Sequence, residues 1–202
     1  MGGIILRPGD KVLVDLDETV YDWVGGINTL VKNHKILRPI DQNTRKAYWI
    51  LDIMTKEQSA VFWQLISQKG FFLSLPLIQG AKEALENLVR YGLDVWICTK
   101  PYSDPPERTY CIDDKTAAIE RDFGRAPDST LWSDKIIFSD DKTKDDGVVL
   151  IDDNPDISGE NPTPSWKQVL YAWPFNQNSP LPRLVWDTKS PISYRKILGL
   201  EK

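Results

Sequence analysis

The chain has 202 residues, of which 41% are hydrophobic and 27% are charged, and its formal net charge is −4. These values are typical of a globular core domain with a modest insertion, and the acidic balance argues against a surface that binds nucleic-acid polymers. We identify no signal peptide and no apolar stretch long enough to span a bilayer. The 2 cysteines form neither a disulfide framework nor a metal-ligand set, so we expect a cytoplasmic protein without membrane contact.

The first predicted element is a buried strand that ends in two carboxylates. Val12, Leu13 and Val14 form a short apolar run after a Gly-Asp turn, which is typical of a strand in a parallel sheet. Asp15 and Asp17 follow it, at the carboxyl end where open α/β sheets form their binding crevices. Two such carboxylates repel each other unless a cation joins them. The motif predicts a cation site, although a solvated Asp-x-Asp turn is the alternative interpretation.

The following residues predict a helical insertion and then a return to the core. Residues 55–58, Thr-Lys-Glu-Gln, form a capping box that opens a helix ending near Lys69. Residues 81–89 carry apolar side chains at helical spacing, and residues 94–98 form the strand after that helix. The segment before this helix is too long for a simple crossover and too structured for a loop. We therefore predict a small helical cap over residues 28–72.

Helices and strands continue to alternate downstream. The predicted elements are a helix over residues 113–123, strands over 135–138, 148–151 and 169–173, an irregular Pro-rich segment over 174–191 and a terminal helix over 193–200. This alternation predicts an α/β fold with a doubly wound parallel sheet. The expected division is a core of residues 1–27 and 73–202, with the cap inserted after the first strand.

Two later strands end in side chains that complement the first acidic pair. One strand ends at Thr99, and the strand over 148–151 ends at Asp152 and Asp153, with Lys142 in the loop before it. Because the carboxyl ends of parallel strands share one edge of the sheet, these groups are expected at one site. Thr99 alone is interpreted as a strand-end hydroxyl and Lys142 alone as a solvated lysine. Their combination with two acidic strand ends favours a functional site.

The ordered set of Asp-x-Asp, Thr, Lys and Asp-Asp resembles the haloacid dehalogenase-like phosphohydrolases. Four flanking segments are similar, more narrowly, to the 5'(3')-deoxyribonucleotidases; they are residues 97–101, 141–143, 150–159 and 161–166. The resemblance extends from about Lys11 to Leu198. It implies a Rossmann-type core with a cap, and a Mg²⁺-dependent phosphatase for the 5'-phosphates of deoxyribonucleoside monophosphates, with 3'-phosphates left open.

The acidic pair at the first strand suits the hydrolysis of a phosphate monoester. The carboxylate of Asp15 is predicted to attack phosphorus and to form an aspartyl-phosphate. Asp17 is predicted to protonate the leaving oxygen and then to activate water. The acid role requires a protonated carboxyl in the complex, and therefore a raised pKa.

The remaining polar groups are assigned to binding. Mg²⁺ prefers an all-oxygen shell with few protein ligands, which suits Asp15 and Asp152. The resemblance adds the backbone carbonyl of Asp17, and Asp153 is expected to orient the shell or hold a metal-bound water. Hydroxyl and ammonium groups bind phosphoryl oxygens, and the residues assigned to this role are Thr99, Lys100 and Lys142.

The cap is expected to select the substrate. By the resemblance, the positions that line the nucleoside pocket are Trp23, Tyr48, Trp49 and Ile50. Aromatic faces stack on nucleobases, and an apolar wall at the sugar disfavours a ribose 2'-hydroxyl. The alternative is that these side chains only form the core of the cap.

Three departures from the family pattern affect substrate choice. Asp140 stands where the eukaryotic family members have arginine, Lys100 where they have serine, and Glu18 where glycine is common. The preferred base of the substrate is therefore left open. Whether the protein forms a homodimer is also left open. The alternative functions are another small-molecule or polynucleotide 3'-phosphatase on the same scaffold, and a catalytically silent module that binds metal or nucleotide.

Overall fold

A six-stranded sheet forms the centre of the computed structural model, which describes residues 4–124 and 133–201. The strands are β1 (Lys11–Val14), β2 (Asp94–Thr99), β3 (Ile136–Phe138), β4 (Val149–Asp152), β5 (Lys167–Tyr171) and β6 (Arg183–Leu184). They lie in the order β3-β2-β1-β4-β5-β6, and each neighbouring pair is parallel. The order reverses between β1 and β4, where open α/β sheets form a crevice. The predicted α/β fold with a doubly wound parallel sheet is confirmed.

The α-helices follow β1, β2 and β6 in the chain. They are α1 (Trp23–Val31), α2 (Lys56–Ile66), α3 (Ala81–Arg90), α4 (Glu107–Phe123) and α5 (Tyr194–Ile197). Short 3-10 turns lie at Ile50–Ile53, Phe72–Ser74, Ser133–Lys135, Lys142–Lys144 and Pro174–Asn176. None of the helices in the two described ranges is both long and apolar enough to cross a membrane.

The elements that the sequence predicts most clearly are those with strong apolar patterns. The three apolar residues of β1 are fully buried between their neighbours β2 and β4. Helix α3 buries the face that its apolar spacing predicts, and Gly92 follows it with a φ of 94° that glycine adopts without strain. The capping box of α2 is also present, because Gln58 N donates to Thr55 Oγ1 at 3.2 Å and Thr55 N donates to Gln58 Oε1 at 2.9 Å.

Several element boundaries differ from the predictions. Helix α4 begins at Glu107, six residues before the predicted start at Asp113, because the pair Pro105–Pro106 precedes it and proline suits the start of a helix. Helix α2 ends at Ile66 rather than Lys69. Strand β5 lies two residues earlier than predicted. Helix α5 ends at Ile197, shortly before Gly199, whose φ is 68°.

Two elements were not predicted. Helix α1 was missed because its two central glycines weaken the helical signal, and it crosses the predicted start of the cap at residue 28. Strand β6 lies inside the segment 174–191 that was expected to be irregular, and its two residues extend the sheet beyond β5. The division into core and cap stays a prediction, since one continuous apolar cluster includes residues of both.

Candidate active site

Asp15 lies at the centre of the sheet because β1 is paired on both sides. Its backbone N–H continues the ladder with β4 and donates to the carbonyl of Ile151 at 2.8 Å. This register places Asp15 beside Asp152, the last residue of β4. The two carboxylates that the sequence places at separate strand ends therefore meet at the point where the strand order reverses.

Three buried carboxylates form one cluster at this edge. Oxygen atoms of Asp15, Asp152 and Asp153 all lie within 4.8 Å of one another. Burial raises the pKa of Asp152 and of Asp153, and the neighbouring carboxylates add to the rise in both. Carboxylate oxygens held this close, in a site that disfavours their charge, are the donor set that a hard divalent cation prefers. The residues present therefore fit a metal ion.

Lys142 supplies positive charge to the same cluster. Its Nζ donates to Asp152 Oδ2 at 2.7 Å and to a carboxylate oxygen of Asp15. Although burial by itself lowers the pKa of Lys142, these two carboxylates raise it overall, so the ammonium stays charged. One lysine balances only one of the three acidic charges, which leaves the cluster able to accept a further cation.

The turn that carries Lys142 is held by the segment that follows β4. Asp141 accepts a hydrogen bond from the backbone N–H of Thr143 at 3.0 Å and from that of Glu160 at 2.8 Å. A Cβ on Gly159 would lie 1.9 Å from Asp141 Oδ1, so only glycine fits there. Trp166 Nε1 donates to the carbonyl of Lys142 at 3.1 Å. The residues after β4 that resemble the deoxyribonucleotidases therefore serve to position Lys142.

A second lysine, Lys115 of α4, holds the other half of the site together. Its Nζ donates to Asp17 Oδ2 at 2.7 Å, to Thr99 Oγ1 at 2.8 Å and to the carbonyl of Lys100 at 3.0 Å. The side chain is only 1% exposed and lies over the ring of Phe72, with Nζ 4.8 Å from the ring centroid. It thus links the ends of β1 and β2, which pair with each other in the sheet.

Lys115 was not among the site residues predicted from the sequence. The available signal was the pattern of α4, in which Cys111, Lys115, Ala118 and Ile119 recur at helical spacing on its buried face. A lysine on such a face is rarely buried without a partner. The position of its charged partner was not visible in the sequence, because that partner lies on another element.

The pKa of Asp17 is shifted in the direction that a proton donor needs. Burial raises it, Lys115 opposes that effect, and the Asp15 carboxylate adds to the rise. The side chain of Asp17 remains 30% exposed, whereas Asp152 and Asp153 are buried. Asp17 therefore combines access to solvent with a destabilised charge.

The structure separates the three residues assigned to phosphate binding. Thr99 is buried, and Lys142 lies within the acidic cluster. The side chain of Lys100 is exposed, and its backbone carbonyl faces Lys115. Thr99 and Lys142 are therefore placed at the carboxylates, whereas Lys100 reaches the site through its backbone.

The acidic departure at Asp140 is balanced by an arginine from another element. Arg108 near the start of α4 donates two hydrogen bonds to Asp140, at 2.9 and 3.0 Å, and one to the carbonyl of Tyr102 at 2.9 Å. These bonds hold the pKa of Asp140 below its usual range. A guanidinium is thus present beside position 140, although it is carried by α4.

The predicted pocket residues divide into packed and accessible side chains. Trp23 packs edge-on against Phe62 and Phe71, with ring centroids 5.6 and 6.1 Å away. Ile50 is buried. Trp49 is 62% exposed, with its ring 5.1 Å from that of Tyr48. Trp23 and Ile50 contribute to the interior of the protein, whereas Trp49 offers a free face.

Tyr48 lies in the loop between α1 and α2, near the acidic cluster. Its ring lies 5.7 Å from that of Phe175, which belongs to the 3-10 turn after β5. Burial raises the pKa of its phenol, and the carboxylates of Asp153 and Asp152 add to that rise. Tyr48 therefore packs on Phe175 and lies within electrostatic range of the carboxylates at the strand ends.

Comparisons with known proteins identify the family of the chain. A family model described as "5' nucleotidase, deoxy (Pyrimidine), cytosolic type C protein" matches residues 10–179. The human "5'(3')-deoxyribonucleotidase, mitochondrial" is 34% identical over 184 residues, which cover 88% of this chain and 77% of that protein. The human "5'(3')-deoxyribonucleotidase, cytosolic type" is 29% identical over 182 residues, covering 85% and 84%.

A solved structure from Deinococcus radiodurans R1, titled as a HAD family hydrolase, has a TM-score of 0.42 and 13% identity, covering 89% of this chain and 92% of that one. The residues matched by the family model include both acidic strand ends and the two lysines of the site, Lys115 and Lys142.

Proposed function

Because the chain belongs to the 5'(3')-deoxyribonucleotidase family of nucleotide phosphatases, we propose that it hydrolyses deoxyribonucleoside monophosphates through an aspartyl-phosphate, with Mg²⁺ as its metal ion. The observation that carries this proposal is the pairing of two lysines, Lys115 with 1% and Lys142 with 11% of its side chain exposed, with two acidic strand ends. Lys142 bridges Asp15 and Asp152, and Lys115 bridges Asp17 and Thr99. A catalytically silent binding module has no need for a proton donor separated from a nucleophile in this way.

Asp15 is the nucleophile in this proposal. A carboxylate oxygen forms a bond to phosphorus as the bond between phosphorus and the ester oxygen breaks, and the two electrons of that bond leave with the nucleoside. Lys142 contacts Asp15 directly, so it orients the carboxylate toward the incoming phosphate. The Thr99 hydroxyl and the Lys142 ammonium donate to the phosphoryl oxygens.

Asp17 transfers the proton in both steps. It first protonates the leaving oxygen, which produces the free nucleoside and an ionised Asp17. It then removes a proton from water, whose oxygen attacks phosphorus and releases inorganic phosphate and the Asp15 carboxylate. Lys115, which hydrogen bonds Asp17, holds the carboxyl in position and stabilises its ionised form between the two steps.

Asp15 and Asp152 would hold the Mg²⁺, with the backbone carbonyl of Asp17, and Asp153 would orient the coordinated water. When bound, the ion neutralises the charge of the phosphate and of the carboxylates around it. The close approach of three buried acidic oxygens supports a divalent cation here. The choice of Mg²⁺ over other divalent ions is part of the proposal.

The cap supplies the nucleoside pocket in this proposal. The exposed ring of Trp49 stacks on the base, and Tyr48 faces the phosphate end of the pocket, while Trp23 and Ile50 support the wall behind them. Lys100 lies at the rim, where its charge assists the approach of an anion. The free nucleoside monophosphate is the expected substrate, and no nucleic-acid polymer is expected to bind. The cytoplasmic location and the homodimer stay predictions.

A phosphate-release panel tests the function. Purified protein is incubated with dUMP, dTMP, dGMP, dAMP and the matching ribonucleotides, each with Mg²⁺ and with a chelator. We expect release from deoxyribonucleotides only when Mg²⁺ is present, and slower release from ribonucleotides. Release from 3'-phosphorylated oligonucleotides but not from monophosphates would instead support the polynucleotide 3'-phosphatase.

A further inference from the structure

Glu18 has an unusual backbone conformation for a residue with a side chain. It follows Asp17 directly, and its φ of 57° lies in the left-handed region, which glycine adopts without strain. Glycine is the residue that the family pattern favours at this position. The glutamate side chain is also almost completely buried, with 6% of its surface exposed. Because a side chain disfavours this backbone conformation, the contacts of the buried carboxylate are what can offset its cost.

The contacts of Glu18 reach across to the predicted cap. Its Oε1 accepts a hydrogen bond from the backbone N–H of Val24 at 2.7 Å, near the start of α1. Its Oε2 accepts from Gln42 Nε2 and lies 3.8 Å from Arg45 Nη2. Gln42 and Arg45 belong to the loop between α1 and α2, so this carboxylate joins the end of β1 to that loop.

Arg45 extends this connection to the pocket. Its side chain is 2% exposed, and its guanidinium carbon lies 4.0 Å from the centroid of the Phe175 ring. Phe175 in turn contacts the ring of Tyr48. Burial lowers the pKa of Arg45, and the carboxylates of Glu18 and Asp153 oppose that effect. A continuous series of contacts therefore runs from Glu18, beside the proposed proton donor, to the ring that lies near the acidic cluster.

We propose that Glu18 and Arg45 are positioning residues that hold the loop over residues 42–48 against the strand end, so that Tyr48 and Trp49 face the phosphate site. The ion pair forms only when this loop lies on the core, because both charges are buried there and neither has access to water as a substitute partner. The proposal rests on the proposed function in one respect, namely that these rings line the nucleotide pocket.

A double-mutant cycle tests the pairing. The variants are Glu18→Gly, which also relieves the backbone, Arg45→Met, and the two combined. We expect each single variant to raise KM for dUMP about tenfold, and the double variant to lose no more than the worse single one, since contacting residues couple. The kcat for an aryl phosphate, which lacks a nucleoside, should change less than about twofold in all three.

Equal losses on dUMP and on the aryl phosphate would overturn the proposal, because they would place the pair in the chemistry rather than in the cap. Single losses that multiply in the double variant would overturn it as well, since the two residues would then act independently. Glu18→Gln serves as a conservative variant, because its amide oxygen retains an acceptor for Val24 N. Because the ion pair needs the negative charge, Glu18→Gln should raise KM for dUMP as much as Arg45→Met does.

Stability provides a readout that is independent of activity. Each single variant leaves a buried charge without its partner, so its melting temperature should fall by about 5–10 °C, and the double variant should recover part of this loss. Arg38→Met is the matched control, since Arg38 is exposed in the same loop and donates to the carbonyls of His34, Lys35 and Leu37. It should leave KM for dUMP unchanged, and its fall in melting temperature should be smaller than that of either single variant.

Hydrogen exchange separates this inference from the proposed function. In the variants, backbone amides of residues 42–48 should exchange faster, while those of β1 and β2 should be unchanged. If the wild-type protein fails to hydrolyse deoxyribonucleotides, the proposed function is wrong, yet the exchange result still decides whether the pair holds the loop. Unchanged exchange at residues 42–48 in both single variants would overturn the positioning role.

Discussion

The carboxyl edge of the sheet and the predicted cap position their side chains by different physical means. At the edge, backbone ladders set the spacing, as when Asp15 continues the pairing of β1 with β4, and Asp15, Asp152 and Asp153 are buried. In the cap, the residues between α1 and α2 contain one short 3-10 turn, and Trp49 and Ile53 are more than half exposed.

This difference indicates separate roles for the two regions, one in the chemistry and one in substrate recognition. Ladder geometry is rigid, so the edge suits chemistry that depends on fixed distances. Rings in a loop depend on side-chain contacts, and they suit the recognition of a substrate. Changes at the edge should therefore affect every phosphate ester, whereas changes in the cap should affect nucleotides alone.

The largest effect is expected from Asp15→Asn. The amide retains the shape of the side chain but loses the nucleophile, so turnover should fall by about 10⁴-fold or more on both dUMP and an aryl phosphate. Steady-state kinetics on the two substrates measures the loss, with the melting temperature as a control for folding. Substantial hydrolysis by a well-folded variant would show that Asp15 is not the nucleophile.

Asp17→Asn should be nearly as severe on a nucleotide, but not on every substrate. Loss of general acid catalysis typically costs about 10²–10⁴-fold. An aryl phosphate has a better leaving group and needs less protonation, so part of the phosphorylation rate should return. Pre-steady-state measurement of phenol release provides the test, and an equal loss on both substrates would leave the acid role without support.

Asp152→Ala should act through the metal ion. We expect Mg²⁺ affinity to fall by at least about 100-fold, because the variant loses a proposed ligand from the buried cluster. Calorimetric titration measures this affinity, and high Mg²⁺ should partly restore turnover. An affinity equal to that of the wild type would exclude Asp152 as a ligand.

The smallest effect, and the one that most directly tests the cap, is expected from its two tryptophans. Trp49→Ala should raise KM for a deoxyribonucleotide roughly 5–150-fold, the scale of about 1–3 kcal/mol for one stacked base, with no change on an aryl phosphate. Trp23→Ala should instead lower the melting temperature by roughly 5–10 °C, because this ring packs against Phe62 and Phe71.

Identical behaviour of the two variants would contradict the separation of exposed and packed rings. If Trp49→Ala mainly destabilised the protein, its ring would belong to the packing of the cap. If Trp23→Ala mainly raised KM, the ring would face the nucleoside despite its edge-on neighbours.

Sequence patterns were informative where one local rule decides the outcome. The apolar run of β1 and the capping box of α2 depend on residues close together in the chain, and both are present. Helix α1 and strand β6 were missed because their residues have weak intrinsic preferences. They form because neighbouring elements bury or pair them, as β6 pairs with β5.

The sequence by itself determined the doubly wound sheet, and it placed Asp15, Asp152 and Thr99 at strand ends, because strand length, alternation with helices and the terminal residues are all local features. Only the tertiary structure decided that Lys115 reaches Asp17, that Arg108 pairs with Asp140, and that Glu18 meets Arg45. Each of these contacts joins residues far apart in the chain. Their partners are selected by burial, because a charge removed from water must find the opposite charge or a hydrogen bond wherever the fold provides one.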